Sequence, residues 1–165
     1  MDTPQLAPTF LSAGKEYVET LERLGMDIEI ACWAYDAAIG GFVLLMVTDF
    51  FDAKGPMEIS KVLFRAYRAS VTPTEVDPFM VRLHSTNHKF ASEIRLWAPG
   101  TWVQQVDPVY KKSFGVRASV KGSTSQGITF HTDWLIKKTE PVSRKTVDIS
   151  RRWDRFVRNV EKAAA

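Results

Sequence analysis

The chain of 165 residues is 45% hydrophobic and 25% charged, with a formal net charge of +3, which indicates a single globular domain and excludes a disordered or fibrous chain. No apolar run approaches the roughly 20 residues that cross a membrane, and the first residues lack the pattern of a signal peptide. The single cysteine, Cys32, excludes an internal disulfide, so the sequence predicts a cytoplasmic protein without a membrane segment.

The beginning of the chain predicts a flexible segment followed by a helix. Two prolines among residues 1–8 favour a flexible lead-in. Residues 9–24 show the three- and four-residue spacing of an amphipathic helix, with Thr9 or Ser12 as its N-cap. We expect Gly25 to end this helix, because glycine readily adopts the left-handed conformation found there.

Two strands and a second helix are predicted next. Residues 27–35 alternate in hydrophobicity, which is typical of a half-buried strand. Residues 42–48 are almost wholly apolar, which indicates a central strand covered on both faces. Glycines between the two strands predict a hairpin connection. The Gly-Pro pair at 55–56 begins an amphipathic helix, since proline is favoured in a first helical turn.

The second half of the chain predicts shorter elements. A strand is expected over residues 79–85, a short helix capped by Asn87, and a strand fragment at 102–106. Residues 114–121 and 128–138 flank a tip rich in glycine and serine, and this pattern predicts a long hairpin.

The last helix completes the predicted fold. It runs from Ser143 to about Lys162, and the alanines at 163–165 resemble a vector remnant. The whole pattern predicts an α+β fold. Residues 9–162 would form a single domain with a mainly antiparallel sheet of about five strands and three main helices packed on it.

Three segments of the first half resemble a group of small bacterial proteins of unknown function. They are residues 31–35 (Ala-Cys-Trp-Ala-Tyr), 42–47 and 52–56 (Asp-Ala-Lys-Gly-Pro). In that group an alanine-tryptophan-tyrosine strand pairs with a Trp-Arg-Leu strand, and a Gly-Pro helix start follows. The resemblance covers about residues 9–85 and implies the strand-strand-helix order and a bacterial origin. It implies no activity, and Gly-Phe-Val at 41–43 stands where the Trp-Arg pair would fall.

Charge is divided unevenly along the chain. Residues 1–60 contain three Lys/Arg and ten Asp/Glu, whereas residues 61–165 contain nineteen and nine, so the two parts carry −7 and +10. This division is typical of a domain with an acidic and a basic face, of a self-complementary dimer, or of a protein whose later half binds nucleic acid. The sequence leaves these three interpretations open.

The first functional hypothesis is a non-enzymatic interaction or binding module, with a homo-oligomer or another protein as its partner. The chain lacks a Gly-x-Ser-x-Gly elbow and a glycine-rich phosphate loop, and no cofactor is predicted. Trp33, Tyr35 and Trp134 lie on predicted strands. If these side chains are exposed they form a partner-binding surface, and if they are buried they fill the core.

The second hypothesis is a nucleic-acid-binding protein that uses phosphate contacts and base stacking. Lysines on an edge hairpin also prevent edge-to-edge aggregation, which explains several of the same residues without a ligand. The candidate contacts are Lys111, Lys112, Arg117, Lys121, Lys137, Lys138, Arg151, Arg152 and Arg155.

The third hypothesis is a metal-dependent hydrolase or nuclease that uses Asp49, Asp52 and His84. Such enzymes place carboxylates at the end of a central strand. The two aspartates are also good capping residues before the helix at 55–56, and the sequence favours this structural role.

Two further groups have a metal or catalytic interpretation. His84 and His88 are four residues apart, as in a metal-binding helix, with His131 or Asp133 as a further ligand. No glutamate lies between them, and the sequence favours a polar surface or capping role for these histidines. Cys32 falls on the apolar face of its strand, so we expect an inert core thiol.

Overall fold

The computed structural model describes residues 4–96, 102–106 and 127–165, with the backbone alone for 102–106. The helices in these ranges are α1 (Pro8–Leu24), α2 (Phe50–Lys54), α3 (Pro56–Arg68), α4 (Lys89–Arg95) and α5 (Thr146–Ala164). The strands are β1 (Ile30–Asp36), β2 (Gly41–Val47), β3 (Val81–His84), β4 (Trp102–Val106), β5 (Gly127–His131) and β6 (Leu135–Lys138). Short 3-10 turns span Pro78–Met80 and Thr132–Trp134. Within these ranges, no helix combines the length and the hydrophobicity that a bilayer crossing requires.

The strands form one mixed sheet in the order β3-β2-β1-β5-β4, with β6 also paired to β1. Two of the strands, β5 and β6, lie one after the other along the same side of β1, because the turn Thr132–Trp134 separates them. The α+β class is confirmed. However, β2 and β3 are parallel, and the described residues contain five helices, so the prediction of a mainly antiparallel sheet with three helices matches only roughly.

The parallel pair β2–β3 follows from its connection. A parallel neighbour requires a crossover, and here the chain crosses through α2 and α3. The carboxyl ends of β2 and β3 therefore meet at one edge of the sheet, where ligands bind in many α/β proteins.

The β1–β2 hairpin is confirmed, in the register Ile30↔Val47 to Asp36↔Gly41. The prediction that β1 is half-buried is wrong, because all of its residues from Ile30 to Ala34 are buried. The helix α1 covers the second face. Phe10 contacts the Trp33 ring edge-on at 5.3 Å, and any side chain on Gly14 would overlap the same indole.

The helix α1 has the predicted extent but a different start. Ala7 is its N-cap and makes no side-chain capping hydrogen bond, while Pro8 occupies the first turn, so the predicted caps Thr9 and Ser12 are wrong. Gly25 ends the helix with φ 109°, as expected for a residue in the left-handed region.

The opposite face of the sheet is covered by α2, α3 and α5. The ring of Phe50 packs against the rings of Trp153 and Phe156, with ring-centre separations of 5.4 and 5.9 Å. These contacts join α2 to α5. The predicted helix start at Ser143 lies three residues before the observed start at Thr146. The resulting core is one continuous cluster of buried residues.

The second half differs most from prediction. The predicted strand over 79–85 is shortened by the turn Pro78–Met80, and His88 caps α4 in place of Asn87. The predicted strand over 128–138 is interrupted by Thr132–Trp134. The other arm of the predicted hairpin, residues 114–121, lies outside the described residues. The described strand that pairs with β5 on the side away from β1 is β4.

Candidate functional site

Polar residues from β2, α2 and the segment after β3 meet at the edge where the parallel strands end. Asp49 follows β2 directly, and Asp52 lies in α2. The Ser85 hydroxyl, just after β3, donates a hydrogen bond to Asp52 Oδ2 at 2.6 Å. Neither aspartate caps the helix that begins at Pro56, because Gly55 occupies its N-cap position. Asp49 is the N-cap residue of α2 but makes no side-chain capping hydrogen bond.

Two arginines near the start of α5 bind two aspartates at the same edge. Arg144 pairs with Asp27 and also with Asp49 at 3.4 Å. Arg152 pairs with Asp27 at 3.1 Å and also with Asp49. Side-chain exposures range from 13% for Asp49 to 30% for Asp27, so salt screens these pairs only weakly. This aspartate–arginine cluster (Asp27, Asp49, Arg144, Arg152) holds α5 against the sheet.

A second buried ion pair lies beside the cluster. Arg95 of α4 donates to Glu29 at 2.8 Å, with side-chain exposures of 14% and 9%. Burial raises the pKa of Glu29 and the charge of Asp49 adds to this shift, while Arg95 opposes it. Burial also lowers the pKa of Arg144, and the neighbouring charge of Arg152 lowers it further.

These ion pairs leave polar atoms without hydrogen bonds. Asp49 Oδ1 and the Nε atoms of Arg95 and Arg152 are buried and have no partner within the part of the chain that the structure describes. Most buried polar atoms in proteins do have a partner. The charged groups at this edge are therefore packed together but incompletely satisfied.

A polar cleft of about 500 Å³ opens beside the cluster, a volume in the usual range for small-ligand sites. Three of its lining side chains are carboxylates and one is a guanidinium, so these groups sum to −2. The described lining residues are Glu29, Asp49, Asp52, Ala53, Thr86, Asn87, Pro141, Val142, Ser143, Arg144, Thr146 and Ile149.

Three comparisons with known proteins found no match. Neither the protein-family models, nor the curated proteins, nor the solved structures contain a match to the chain. The resemblance noted for residues 9–85 therefore gains no support from these comparisons.

The predicted metal set is not assembled. Asp49 and Asp52 line the polar cleft, but His84 is not among its described lining residues. The His84 ring packs against His88 at 4.9 Å and Phe90 at 5.3 Å. Among the described residues, no three His, Cys, Asp or Glu side chains are grouped so that they could hold a metal ion.

The other candidates for metal or catalytic chemistry have local roles. His131 Nδ1 accepts a hydrogen bond from the backbone N–H of Asp133 at 3.2 Å, and His88 Nδ1 accepts one from Phe90. Cys32 is buried, and burial raises its thiol pKa, so it is the inert core residue that was expected.

The predicted aromatic surface is mostly interior. Trp33 is fully buried, and Trp134 is 8% exposed with its ring against Phe42 at 5.4 Å. Tyr35 alone of the three is partly exposed. The partner-binding interpretation of Trp33 and Trp134 is therefore wrong, because α1 and Phe42 cover their rings.

Several predicted nucleic-acid contacts are used within the fold. Lys137 pairs with Glu22, and Lys138 donates to the Arg95 carbonyl at 3.3 Å. Arg152 belongs to the aspartate–arginine cluster. Arg151 and Arg155 are exposed. The remaining candidates lie outside the described residues: Lys111, Lys112, Arg117 and Lys121.

The charge division along the sequence is largely neutralised inside the molecule. Among the described residues, six acidic residues of 1–60 pair with six basic residues of 61–165. The acids are Glu22, Asp27, Glu29, Asp36, Asp49 and Glu58, and the bases are Lys61, Arg82, Arg95, Lys137, Arg144 and Arg152. The opposite charges of the two halves were thus the sequence signal for the cluster, although its partners were not identified.

Proposed function

We propose that this protein is a non-enzymatic binding protein whose ligand is a small cation, an amine or a guanidinium compound, held in the polar cleft. The observation that carries the proposal is the carboxylate of Asp52. The other two lining carboxylates, Glu29 and Asp49, are ion-paired with arginines, whereas Asp52 forms no ion pair with a described residue. A cleft lined mainly by one sign of charge concentrates ligands of the opposite sign.

The lining supports a specific mode of binding. Asp52 is exposed, and Ser85 donates a hydrogen bond to its Oδ2 atom. Its Oδ1 atom accepts no hydrogen bond from a described residue, so it can accept one from an ammonium or guanidinium group. Hydrogen bonds between such ionised partners are about twice as strong as neutral ones. Val142 and Ile149 provide apolar wall for the alkyl part of the ligand.

Binding explains the cleft without a chemical step. Covalent catalysis needs a nucleophile activated by a neighbouring base, and the single thiol, Cys32, is buried in the core. A reduced, unpaired thiol also supports a cytoplasmic location for the protein.

Calorimetry and thermal unfolding test the proposal with agmatine and cadaverine as cationic probes and citrate as an anionic control. At a concentration of 100 Kd, a bound probe stabilises the native state by about 2.7 kcal/mol. For a chain of this size we expect the Tm to rise by roughly 5–11 °C. Absence of binding at millimolar cation, or preferential binding of citrate, would overturn the proposal.

A pair of variants locates the binding. Asp52→Asn keeps the shape of the side chain and removes the charge-assisted bond, so we expect roughly 10- to 150-fold weaker binding from a loss of about 1.5–3 kcal/mol. Glu58→Gln changes the charge equally at an exposed position of α3 outside the cleft. It should bind the probe like the wild type, and equal losses in the two variants would exclude the cleft as the site.

A further inference from the structure

The outer face of α5 carries a row of basic side chains. Arg151, Arg155, Arg158 and Lys162 are spaced by four, three and four residues, so they lie along one side of the helix. All four are exposed. This basic row extends over about 16 Å, at 1.5 Å per residue.

The basic row differs from those basic residues of the later half that are ion-paired within the fold. None of its members forms an ion pair with a described residue, whereas Arg152, next in sequence to Arg151, binds Asp27 and Asp49. Asp148 and Asp154 lie near the row, so six exposed charges sum to +2 on this face. The row is a contiguous group of described basic side chains that the fold leaves without ion pairs.

We propose that the basic row binds nucleic acid through the phosphate backbone. The planar guanidinium group donates two parallel hydrogen bonds to a phosphate, and three of the four side chains are arginines. Four cations in line provide one contact for each of about four phosphates. This surface is separate from the polar cleft, so it does not rest on the cationic ligand proposed there.

The packing of α5 argues against a membrane as the partner. A helix that binds a lipid surface inserts its apolar face among the acyl chains. In α5 that face is formed by Trp153, Phe156 and Val160, which are buried in the core. Val147 is the one large apolar side chain of α5 that is highly exposed. A polyanion in solution therefore fits the row better than a bilayer.

Binding through phosphate contacts should weaken with salt by an amount that depends on the number of contacts. Each neutralised phosphate contributes about −0.9 to the slope of log K against log salt for duplex DNA and about −0.7 for single strands. Four contacts thus weaken binding roughly 50- to 150-fold between 50 and 200 mM salt.

Fluorescence anisotropy with labelled single-stranded RNA, single-stranded DNA and duplex DNA tests the proposal across this salt range. The triple variant Arg151→Gln, Arg155→Gln, Arg158→Gln should bind at least about tenfold more weakly at 50 mM salt. The slope of log K against log salt should be less steep than that of the wild type by about 2–3. All three positions are exposed, so circular dichroism should show an unchanged fold.

The matched control neutralises three exposed cations elsewhere, as Lys15→Gln, Arg23→Gln and Lys61→Gln. Its net charge equals that of the first triple variant, and its affinity should stay within about threefold of the wild type. Equal weakening in both variants would show that net charge alone is sensed and would overturn the proposal. So would no binding at 50 mM salt, or binding to anionic vesicles without binding to nucleic acid.

Discussion

His84 shows how a residue with a plausible metal-binding pattern acquires a different chemistry through burial. Its ring lies between His88 and Phe90, with ring-centre separations of 4.9 and 5.3 Å. Burial, assisted by the charges of His88 and Arg82, lowers the pKa of His84 from 6.5 to about 4. The imidazole is therefore neutral in the native protein at pH 7.

This shift predicts a loss of stability in mild acid. The unfolded chain binds a proton at His84 near pH 6.5, whereas the native chain binds it only near pH 4. The contribution of His84 to the free energy of unfolding is thus fully present above pH 6.5. It is lost as the pH drops from 6.5 to 4, and the loss amounts to roughly 3 kcal/mol. Urea unfolding at pH 6.5 and at pH 4 measures this decline in the free energy of unfolding. In the variant His84→Gln we expect the decline to be smaller than in the wild type by roughly 2–3 kcal/mol. Identical declines would contradict the prediction.

In the helix α5, two neighbouring arginines differ in whether they form ion pairs. Arg152 pairs with Asp27 and Asp49 and lies over the Phe50 ring at 5.4 Å, while Arg151 points to solvent. Removing one partner from a buried ion pair leaves an uncompensated charge. The stability of α5 therefore depends on one of these arginines and not on the other.

Substitution of the two arginines tests this asymmetry. Arg152→Met should lower the free energy of unfolding by roughly 2–4 kcal/mol, because Arg144 alone remains for two partly buried aspartates. Arg151→Met serves as the matched control and should stay within about 0.5 kcal/mol of the wild type. Urea unfolding measures both values, and equal effects would show that the cluster does not hold α5.

The long helices α1, α3 and α5 were predictable because their signals are local. Gly25 ends α1 and Pro56 begins α3, and the apolar spacing between such signals identifies the buried face. The cluster was not predictable, because its ion pairs join residues 95 to 125 positions apart. The burial of Ile30 to Ala34 was missed because an alternating pattern does not show that α1 packs on the second face of β1, where Gly14 lies against Trp33.

At the scale of the whole molecule, the acidic and basic halves of the sequence meet inside one fold. Among the described residues, five acids of residues 1–60 pair with bases of residues 82–152, and these pairs tie α1, the sheet, α4 and α5 together. The sequence alone allowed the same charges to face outward and drive dimer formation. Their pairing within the chain removes most of the charge complementarity that such a dimer requires.

Sedimentation equilibrium tests this consequence. At micromolar concentration we expect the mass of a single 165-residue chain both at 50 mM and at 500 mM salt, because screening has no intermolecular charge pairs to weaken. A dimer at 50 mM that dissociates at 500 mM would show that charged faces remain outside and attract a second copy. The variant Arg151→Gln, Arg155→Gln, Arg158→Gln then identifies the face. If it alone restored the monomer at 50 mM salt, the exposed arginines of α5 would be contacts between copies of this chain.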